Sequence, residues 1–317
     1  MNILITGGAG FIGSTLADRL LSKGNKIIVL DNFNDYYDVN IKEQNITNNL
    51  KNKNYKLFRG DICDRELTDR IFNENEIDIV LHFAARAGVR PSLEDPLEYV
   101  RSNIEGTVNI LEKIKKYGVK KIIFASSSSV YGNCKADKFS EDLKVTEPIS
   151  PYAATKLACE QILYTYSKLY EINTVCLRFF TVYGPKQRPD LAIRKFIELI
   201  EQDKPIPVYG DGTTMRDYTF IEDIVGGICA AMDYDKTLYE IINLGGGSPV
   251  TLNEMISTIE DVLGKKAQIN RLPLQQGDVI KTVSDITKAQ KLLGYKPKTN
   301  LKEGIRKFIE WKSLYNK

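Results

Sequence analysis

Histidine is almost absent from this chain of 317 residues, which contains a single one, His82. Triads built on histidine place that residue beside a nucleophile, and many zinc sites use several histidines. His82 comes with an apolar stretch that predicts a buried strand, so we expect it to be structural. We therefore expect neither a histidine-based triad nor a bound metal.

Cysteine pairs are missing as well. The five cysteines are odd in number, widely spaced and form no Cys-x-x-Cys motif. We therefore expect reduced thiols, and neither disulfides nor a zinc site, as in a cytoplasmic enzyme. Cys134 is expected to have no role of its own.

Runs of one charge and long apolar segments are also absent. The 44 Lys and Arg residues against 41 Asp and Glu residues give a net charge of +3. This balance does not support nucleic acid or a membrane as a partner. The apolar run over residues 3–5 is far too short for a signal peptide or a membrane span. An apolar fraction of 43% allows one large α/β domain or two smaller ones.

A glycine-rich turn near the start of the chain is the first stretch with a chemical signal. NILIT predicts a strand, GGAGFIG a turn, and the amphipathic residues that follow a helix. Gly7, Gly10 and Gly13 permit a tight turn and a close approach of the backbone to a pyrophosphate, which the helix N-terminus attracts. Glycines alone could mark a flexible turn, but here the strand and the helix have the order of a dinucleotide-binding unit.

Asp31 ends the second predicted strand, KIIVLD, near the spacing of about 20 residues expected for a ribose-binding acid. Its carboxylate can accept hydrogen bonds from a ribose 2′-hydroxyl and repels a 2′-phosphate. Asn32, Phe33 and Asn34 add no cation beside it. NAD is therefore favoured over NADP.

Strands and helices continue to alternate as far as residue 179. Strands are predicted over YKLFRGDI, IDIVLHFAA, KKIIFAS and NTVCLRF, and helices over about 64–75, 95–117 and 151–171. Strands that are apolar nearly throughout predict a parallel sheet covered on both faces, with ligands at the carboxyl ends of the strands. Asp61, Ala84, Ala85 and a run of serines fall at such ends.

The predicted fold class is α/β, a Rossmann-type doubly wound parallel sheet with a smaller mixed C-terminal lobe. We expect residues 1–180 and 213–246 to form the NAD-binding domain. The rhythm changes after Arg178, so residues 181–212 and 247–317 are expected to form the substrate-binding lobe. A small substrate would be enclosed between the two.

A tyrosine followed four residues later by a lysine is the candidate catalytic pair. In a helix beginning near Pro151, Tyr152 and Lys156 share one face. A lysine charge about 4 Å from the phenol favours the phenolate by roughly 4 kcal/mol, or about three pKa units. The phenol, whose pKa is ordinarily about 10, would then be a usable base near pH 7.

Tyr-x-x-x-Lys is a weak pattern, because an ordinary surface pair on a helix has the same spacing. Only Tyr152 begins a helix just after a strand that ends in hydroxyl groups, so we prefer that pair. The four matches are Tyr117/Lys121, Tyr131/Lys135, Tyr152/Lys156 and Tyr164/Lys168.

With these motifs assembled, the chain resembles the extended short-chain dehydrogenase/reductases over essentially its whole length. Within that family it is most similar to the nucleotide-sugar epimerases, and among these to UDP-glucuronate 4-epimerases. The motifs that carry the resemblance are TGGAGFIG, Asp31, GDI, HFAA, SSSSVYG, SPYAATK, RFFTVYGP, DGTTMRDYTFIED and QGDV.

The resemblance implies NAD-dependent epimerisation. Tyr152 as phenolate would take the proton of the sugar 4-hydroxyl while NAD accepts hydride from C4, and Ser127 would hydrogen-bond that oxygen. The 4-keto sugar would then turn over and regain the hydride on its other face. The implied cofactor contacts are Gly7, Gly10, Phe11, Ile12, Gly13, Asp31, Asn32, Asp61, Ile62, Ala84, Ala85, Tyr152 and Lys156.

The implied substrate is a UDP-sugar; one departure from related enzymes favours epimerisation without elimination, and two others favour UDP-glucuronate as the sugar. Dehydratases carry an acid pair, and decarboxylases a glutamate, where this chain has Ser128 and Ser129, and hydroxyls are poor acids and bases. Thr181 and Gln275 replace an asparagine and an arginine of the hexose epimerases. The implied substrate contacts are Ser127, Ser128, Ser129, Thr181, Arg188, Arg216 and Asp278.

Several alternatives remain. The chain could act on UDP-glucose or UDP-N-acetylglucosamine, could be a decarboxylase or dehydratase, or could be a Rossmann-like binding protein without catalysis. Arg188 could be a loop cation without a ligand, and Ser128 and Ser129 could only cap the strand. In the family, the helices equivalent to 95–117 and 151–171 pair across a two-fold axis, so we expect a homodimer.

Overall fold

The chain is described by a computed structural model that covers residues 1–273 and 279–315. Its strands are β1 (Asn2–Thr6), β2 (Lys26–Asp31), β3 (Tyr55–Arg59), β4 (Ile79–His82), β5 (Lys121–Ser127), β6 (Asn173–Phe179), β7 (Thr181–Tyr183), β8 (Ile206–Tyr209), β9 (Met215–Arg216), β10 (Tyr218–Phe220), β11 (Tyr239–Leu244), β12 (Val250–Thr251) and β13 (Ile269–Leu272).

Helices connect most of these strands. They are α1 (Phe11–Ser22), α2 (Val39–Ile46), α3 (Arg65–Glu74), α4 (Val89–Glu94), α5 (Pro96–Tyr99), α6 (Gly106–Tyr117), α7 (Pro151–Tyr170), α8 (Ala192–Glu201), α9 (Ile221–Met232), α10 (Leu252–Leu263), α11 (Thr287–Leu293) and α12 (Leu301–Tyr315). Two 3₁₀ turns, Asn49–Lys51 and Ser128–Tyr131, and a π-helical segment, Val100–Glu105, complete the regular structure of the described residues.

A seven-stranded sheet organises the described part of the chain, in the order β11-β6-β5-β4-β1-β2-β3. Every neighbouring pair in it is parallel. Alternate residues of β1 face opposite layers, so Ile3 and Ile5 pack with α1 and α9, whereas Leu4 packs with α6 and α7. The prediction of a doubly wound parallel sheet is confirmed.

The helix predicted over about 95–117 differs from the observed structure. In the structure, this stretch consists of α5, the π-helical segment and α6. Asn103 in the π-helical segment uses its side-chain amide to bond the backbone of Arg86 and the Thr155 hydroxyl, at 2.8 to 3.1 Å. A 3.6-residue pattern cannot reveal such a local change, because it depends on these tertiary partners.

Smaller sheets follow β6 along the chain. β8 pairs with β13 in parallel, and β9 pairs with β12 antiparallel. β11 instead pairs with β6 and extends the main sheet. Within residues 1–273 and 279–315, every helix is too short or too polar to cross a lipid bilayer.

His82 is the last residue of β4 and is only 1% exposed. Its Nδ1 lies 2.7 Å from the Thr6 hydroxyl, and its Nε2 lies 3.0 Å from the Thr107 hydroxyl. Thr107 donates its proton to the Asn103 carbonyl, so it accepts from Nε2, which therefore carries the ring proton. Burial, and then the charge of Lys156, lower the His82 pKa to about 3.

We expect the single histidine to remain neutral in the folded protein from pH 8 to pH 5. NMR of the imidazole nitrogens in a protein without a histidine tag should show one protonated and one bare nitrogen across this range. In urea the same ring should titrate near pH 6.5. Because the unfolded state binds the extra proton, His82 stabilises the fold above pH 6.5, and this contribution is lost as pH falls toward about 3. A folded-state titration near pH 6.5 would contradict this environment.

Candidate active site

A cavity of about 510 Å³ lies at the carboxyl ends of the central strands. Sheet order reverses between β1 and β4, which is where ligands bind in such folds. Gln275 and Asp278 lie outside the described residues. The predicted residues that line the cavity are Gly7, Gly10, Phe11, Ile12, Gly13, Asp31, Asn32, Asp61, Ile62, Ala84, Ala85, Ser127, Ser128, Ser129, Tyr152, Lys156, Thr181, Arg188 and Arg216.

The glycine turn packs too closely for larger residues. Gly7 has a φ of 72°, and a Cβ on it would lie 2.7 Å from the Ala84 nitrogen. A Cβ on Gly13 would lie 2.4 Å from the Gly7 oxygen. Gly10 caps α1, whose first turn opens toward the cavity. The turn can therefore hold a dinucleotide pyrophosphate against the helix N-terminus.

Asp31 is buried and holds the turns on both sides of it. Its carboxylate accepts hydrogen bonds from the backbone of Ala9 at 3.0 Å and of Phe33 at 2.9 Å. Asn32, Phe33 and Asn34 add no cation, but one comes from β3, where the Arg59 guanidinium lies 4.1 Å from the Phe33 ring centre. Arg59 is bound in a bidentate pair by Glu43, at 2.7 and 2.8 Å, which offsets its charge.

Asp61 forms the next part of the cavity wall, after β3. Its carboxylate accepts from the Cys63 backbone at 2.8 Å and the Asn32 amide at 3.2 Å, and it lies 3.4 Å from Arg101. Burial alone would raise the Asp61 pKa, but these contacts outweigh burial and lower it. Asp61 is thus held ionised at the end of its strand.

Tyr152 and Lys156 project from the first two turns of α7. Ser150 caps this helix by accepting from the Ala153 backbone at 3.2 Å, and Pro151 occupies its first turn. The Lys156 ammonium donates to the Ala125 carbonyl at 2.7 Å. Burial lowers the Lys156 pKa to about 8.

The expected effect of Lys156 on the phenol is wrong as stated. Burial raises the Tyr152 pKa above its ordinary value, and the influences that oppose burial are a hydrogen bond with Ser127 and the charge of Arg188. Helical spacing does place Tyr152 and Lys156 on one face, but the ammonium is directed at a backbone carbonyl of β5. Helical spacing fixes the positions of the two Cα atoms on one face, but it does not fix where the terminal atoms of the side chains lie.

The serine run divides into two environments. Ser126 is buried and donates to Glu160 Oε1 at 2.5 Å. Ser127 ends β5, and its hydroxyl oxygen accepts from the Ser129 backbone at 3.2 Å and the Ser129 hydroxyl at 2.9 Å. Ser127 therefore caps the 3₁₀ turn that follows β5, and Ser127, Ser128 and Ser129 all reach the cavity.

The opposite wall is formed by the segments around β7 and β9. Thr181 begins β7, and its backbone donates to the Asp217 carbonyl at 3.0 Å. Arg188 is bound by the Asp190 carboxylate in a bidentate pair, at 3.0 and 2.8 Å. Arg216 donates to the Met215 carbonyl at 2.9 Å. Two cations, Arg188 and Arg216, thus line this wall.

The cavity residues that the sequence analysis missed include the polar side chains Tyr36, Tyr37 and Arg86. The Tyr36 ring lies near two guanidinium groups, with its centre 5.3 Å from Arg188 and 6.0 Å from Arg86. Arg86 directly follows Ala85, so the strand-end rule could have found it. The two tyrosines lie in a loop between β2 and α2 that has no periodic pattern, and nothing in the sequence singled them out.

Similar proteins are known over the full length of the chain. The UDP-glucuronate 4-epimerase of Thermodesulfobacterium geofontis is 46% identical over 310 residues, which are 97% of this chain and 95% of that protein. The crystal structure of UDP-glucuronic acid 4-epimerase from Bacillus cereus with UDP-glucuronic acid and NAD has a TM-score of 0.94 at 39% identity and covers 99% of this chain and 100% of its own.

A UDP-glucose 4-epimerase from Thermotoga maritima, solved with UDP-glucose, has a TM-score of 0.92 at 34% identity, with both chains fully covered. The family described as GDP-mannose 4,6 dehydratase matches residues 4–308. These likenesses agree with the strand order, the glycine turn and the Tyr152/Lys156 helix. The chain belongs to this family of extended short-chain dehydrogenase/reductases.

Proposed function

We propose that this protein is an NAD-dependent isomerase that interconverts UDP-glucuronate and UDP-galacturonate through a 4-keto intermediate. The observation that carries the proposal is a single cavity lined by the glycine turn, Ser128, Ser129 and Thr181. At the two serine positions, where related dehydratases and decarboxylases carry acids, this chain offers only hydroxyl groups. The similar proteins from T. geofontis and B. cereus bear the name of this activity.

The first half of the cavity suits NAD: the glycine turn would hold its pyrophosphate, and Asp31 would bind its adenosine ribose. Asp61, Ile62, Ala84 and Ala85 would line the rest of its path. NAD rather than NADP is proposed, because Asp31 is fixed beside the ribose position and Arg59 is neutralised by Glu43. When bound, NAD would supply the hydride acceptor and return the hydride in each cycle.

Tyr152 would move the proton of the sugar 4-hydroxyl. Its phenol oxygen receives that proton during oxidation and returns it during reduction, while the Ser127 hydroxyl bonds the same sugar oxygen. Ser127 also counters the effect of burial on the Tyr152 pKa. Lys156, with a pKa of about 8, is mostly protonated at pH 7 and adds a buried positive charge one turn away.

The substrate carboxylate needs separate control. A 4-keto uronic acid is a β-keto acid and loses CO₂ when its C5–carboxylate bond aligns with the carbonyl π system. Hydroxyls at Ser128, Ser129 and Thr181 could hold the carboxylate out of alignment with charge-assisted bonds worth roughly 1.5 to 3 kcal/mol each. Arg188, on the same wall as Thr181, would add a positive charge, although it also forms a salt bridge with Asp190. Arg216 is the proposed diphosphate contact, and Asp278 the proposed uridine ribose contact.

A homodimer in the cytoplasm is the proposed setting. The surface of the helical layer formed by α4, α5, the π-helical segment and α7 carries apolar and aromatic side chains that a second copy could cover. The exposed ones are Leu93, Leu97, Val100, Tyr164, Leu169 and Tyr170. All five cysteines are free thiols, as a reducing compartment requires.

A substrate panel tests the activity. We expect UDP-glucuronate to be converted to UDP-galacturonate with little UDP-pentose, as measured by chromatography of the nucleotide sugars. Thr181→Ala should lower kcat/KM for UDP-glucuronate about tenfold, which corresponds to one lost charge-assisted bond. Any turnover of UDP-glucose should change less than threefold, because a hydroxymethyl group gains little from that hydroxyl.

Three results would redirect the assignment. Rapid turnover of UDP-glucose with none of the uronate would indicate a hexose 4-epimerase, as in the T. maritima protein. A pentose product with release of CO₂ would indicate a decarboxylase. A protein that binds neither NAD nor a UDP-sugar would be a Rossmann-like protein of another kind.

Tyr152→Phe should lower kcat about 10²- to 10⁴-fold, which is the usual contribution of a positioned proton-transfer group. Tyr164→Phe on the same helix is the matched control and should stay within twofold of the unmodified protein. The Tyr164 ring packs edge-on against Tyr239 at 5.1 Å, and phenylalanine can keep that contact. Circular dichroism should show both variants folded. Equal losses in the two would reject Tyr152 as the base.

Leu97→Glu should weaken the dimer at least tenfold, because it places a charge in the proposed interface. Leu97 is 79% exposed in the single chain. Leu314→Glu is the control, since Leu314 on α12 is 72% exposed but distant in sequence from the proposed interface. Sedimentation velocity at micromolar concentration should find a dimer for the unmodified protein and the control. A monomeric unmodified protein would refute the proposed interface.

A further inference from the structure

The loop over residues 184–191 follows β7 and brings Arg188 and Leu191 to the cavity wall. Its third residue, Lys186, has an unusual position for a lysine, with its side chain only 8% exposed. Its φ is 66°, in the left-handed region that side chains with a Cβ rarely adopt. A buried lysine in a strained backbone conformation persists only when its surroundings hold it there.

Lys186 is held by two elements of the cofactor-binding half. Its ammonium donates to Asp18 Oδ2 on α1 at 2.6 Å and to the Asn45 carbonyl on α2 at 2.9 Å. The other oxygen of Asp18 accepts from the Asn49 amide at 2.6 Å, which fixes the carboxylate. One side chain therefore joins the loop to both helices.

The contact continues to the glycine turn. The Asn45 side-chain amide donates to the Ala9 carbonyl at 3.1 Å, inside the turn proposed to hold NAD. Asn45 thus bonds the turn through its side chain and Lys186 through its backbone. A continuous set of hydrogen bonds runs from Ala9 through Asn45 to Lys186.

The loop is also held by hydrogen bonds within itself and to α8. The Gln187 backbone donates to the Gly184 carbonyl at 3.0 Å, and its side chain donates to the Val182 carbonyl at 3.3 Å. Arg194 on α8 donates to the Gln187 carbonyl at 2.6 Å. Because these bonds maintain the conformation of the loop, the contacts that hold Lys186 in place also hold Arg188, two residues later.

We propose that Lys186 is a positioning residue that fixes the loop over 184–191, and Arg188 with it, against the glycine turn, and so sets the affinity for the sugar acid. This inference rests on the proposed function, because that function assigns Arg188 to the substrate carboxylate. The uridine diphosphate is assigned to other residues. Lys186 should therefore affect the binding of UDP-glucuronate more than that of UDP.

Two variants separate the ammonium from the backbone conformation. Lys186→Met keeps most of the buried aliphatic volume and removes the charge. Lys186→Gly also removes the charge, but glycine adopts a φ of 66° without strain. If the ammonium fixes the loop, both variants should behave alike. Lys195→Met is the control, since Lys195 is an exposed lysine on α8 that lies outside the cavity.

Calorimetry on the NAD-loaded protein would measure the binding of UDP-glucuronate and of UDP. We expect both Lys186 variants to bind UDP-glucuronate about tenfold more weakly, with the dissociation constant of UDP changed less than twofold. Lys195→Met should match the unmodified protein for both ligands. In turnover, KM for UDP-glucuronate should change more than kcat, because Tyr152 and Lys156 lie on α7.

Asp18→Asn tests the contact itself. In that background Lys186→Met should weaken UDP-glucuronate binding clearly less than tenfold, because the two changes remove one interaction. Unchanged UDP-glucuronate affinity in both Lys186 variants would overturn the proposal, even if their melting temperatures fell, since the residue would then be only structural. Equal weakening of UDP and UDP-glucuronate would overturn it as well. A protein that binds UDP-glucuronate without forming UDP-galacturonate would refute the activity, and the affinities would still decide the role of Lys186.

Discussion

The buried ion pair between Glu160 on α7 and Arg178 on β6 is the contact on which the rest of the site depends. The two side chains are 0% and 2% exposed and form a bidentate pair at 2.9 and 2.7 Å. Burial works against the charge of Arg178, but its bonds to Glu160 outweigh burial and raise its pKa. Removing one partner of such a pair typically costs about 3 to 5 kcal/mol, because the other charge stays buried.

This pair fixes the catalytic geometry from two directions. Glu160 lies one turn beyond Lys156 and two turns beyond Tyr152, on the same face of α7. The same carboxylate accepts from Ser126, which precedes Ser127 at the end of β5. A single buried carboxylate therefore sets the helix that carries the base against the strand that carries its hydroxyl partner.

Site residues at the ends of strands could be predicted from the sequence, whereas site residues in loops could not. Asp31 and Asp61 were found because the carboxyl ends of parallel strands meet at one edge, which follows from topology alone. Tyr36 and Lys186 reach the same region from irregular loops, where position depends on tertiary contacts. The target of Lys156 was also beyond a sequence argument, because helical spacing does not show that a β5 carbonyl competes with the phenol for the ammonium.

Charge balance gives a physical reason why a buried phenol can still serve as a base. Burial raises the pKa of Tyr152 and lowers that of Lys156, so it opposes each charge taken alone. The buried set on α7 and β6, however, contains two cations, Lys156 and Arg178, and one anion, Glu160. Ionisation of Tyr152 adds the second anion and makes the set neutral, and opposite charges in a medium of low dielectric attract strongly. Because Glu160 and Arg178 balance each other, the surplus positive charge of the set is that of Lys156, and a Tyr152 phenolate is the group that would balance it.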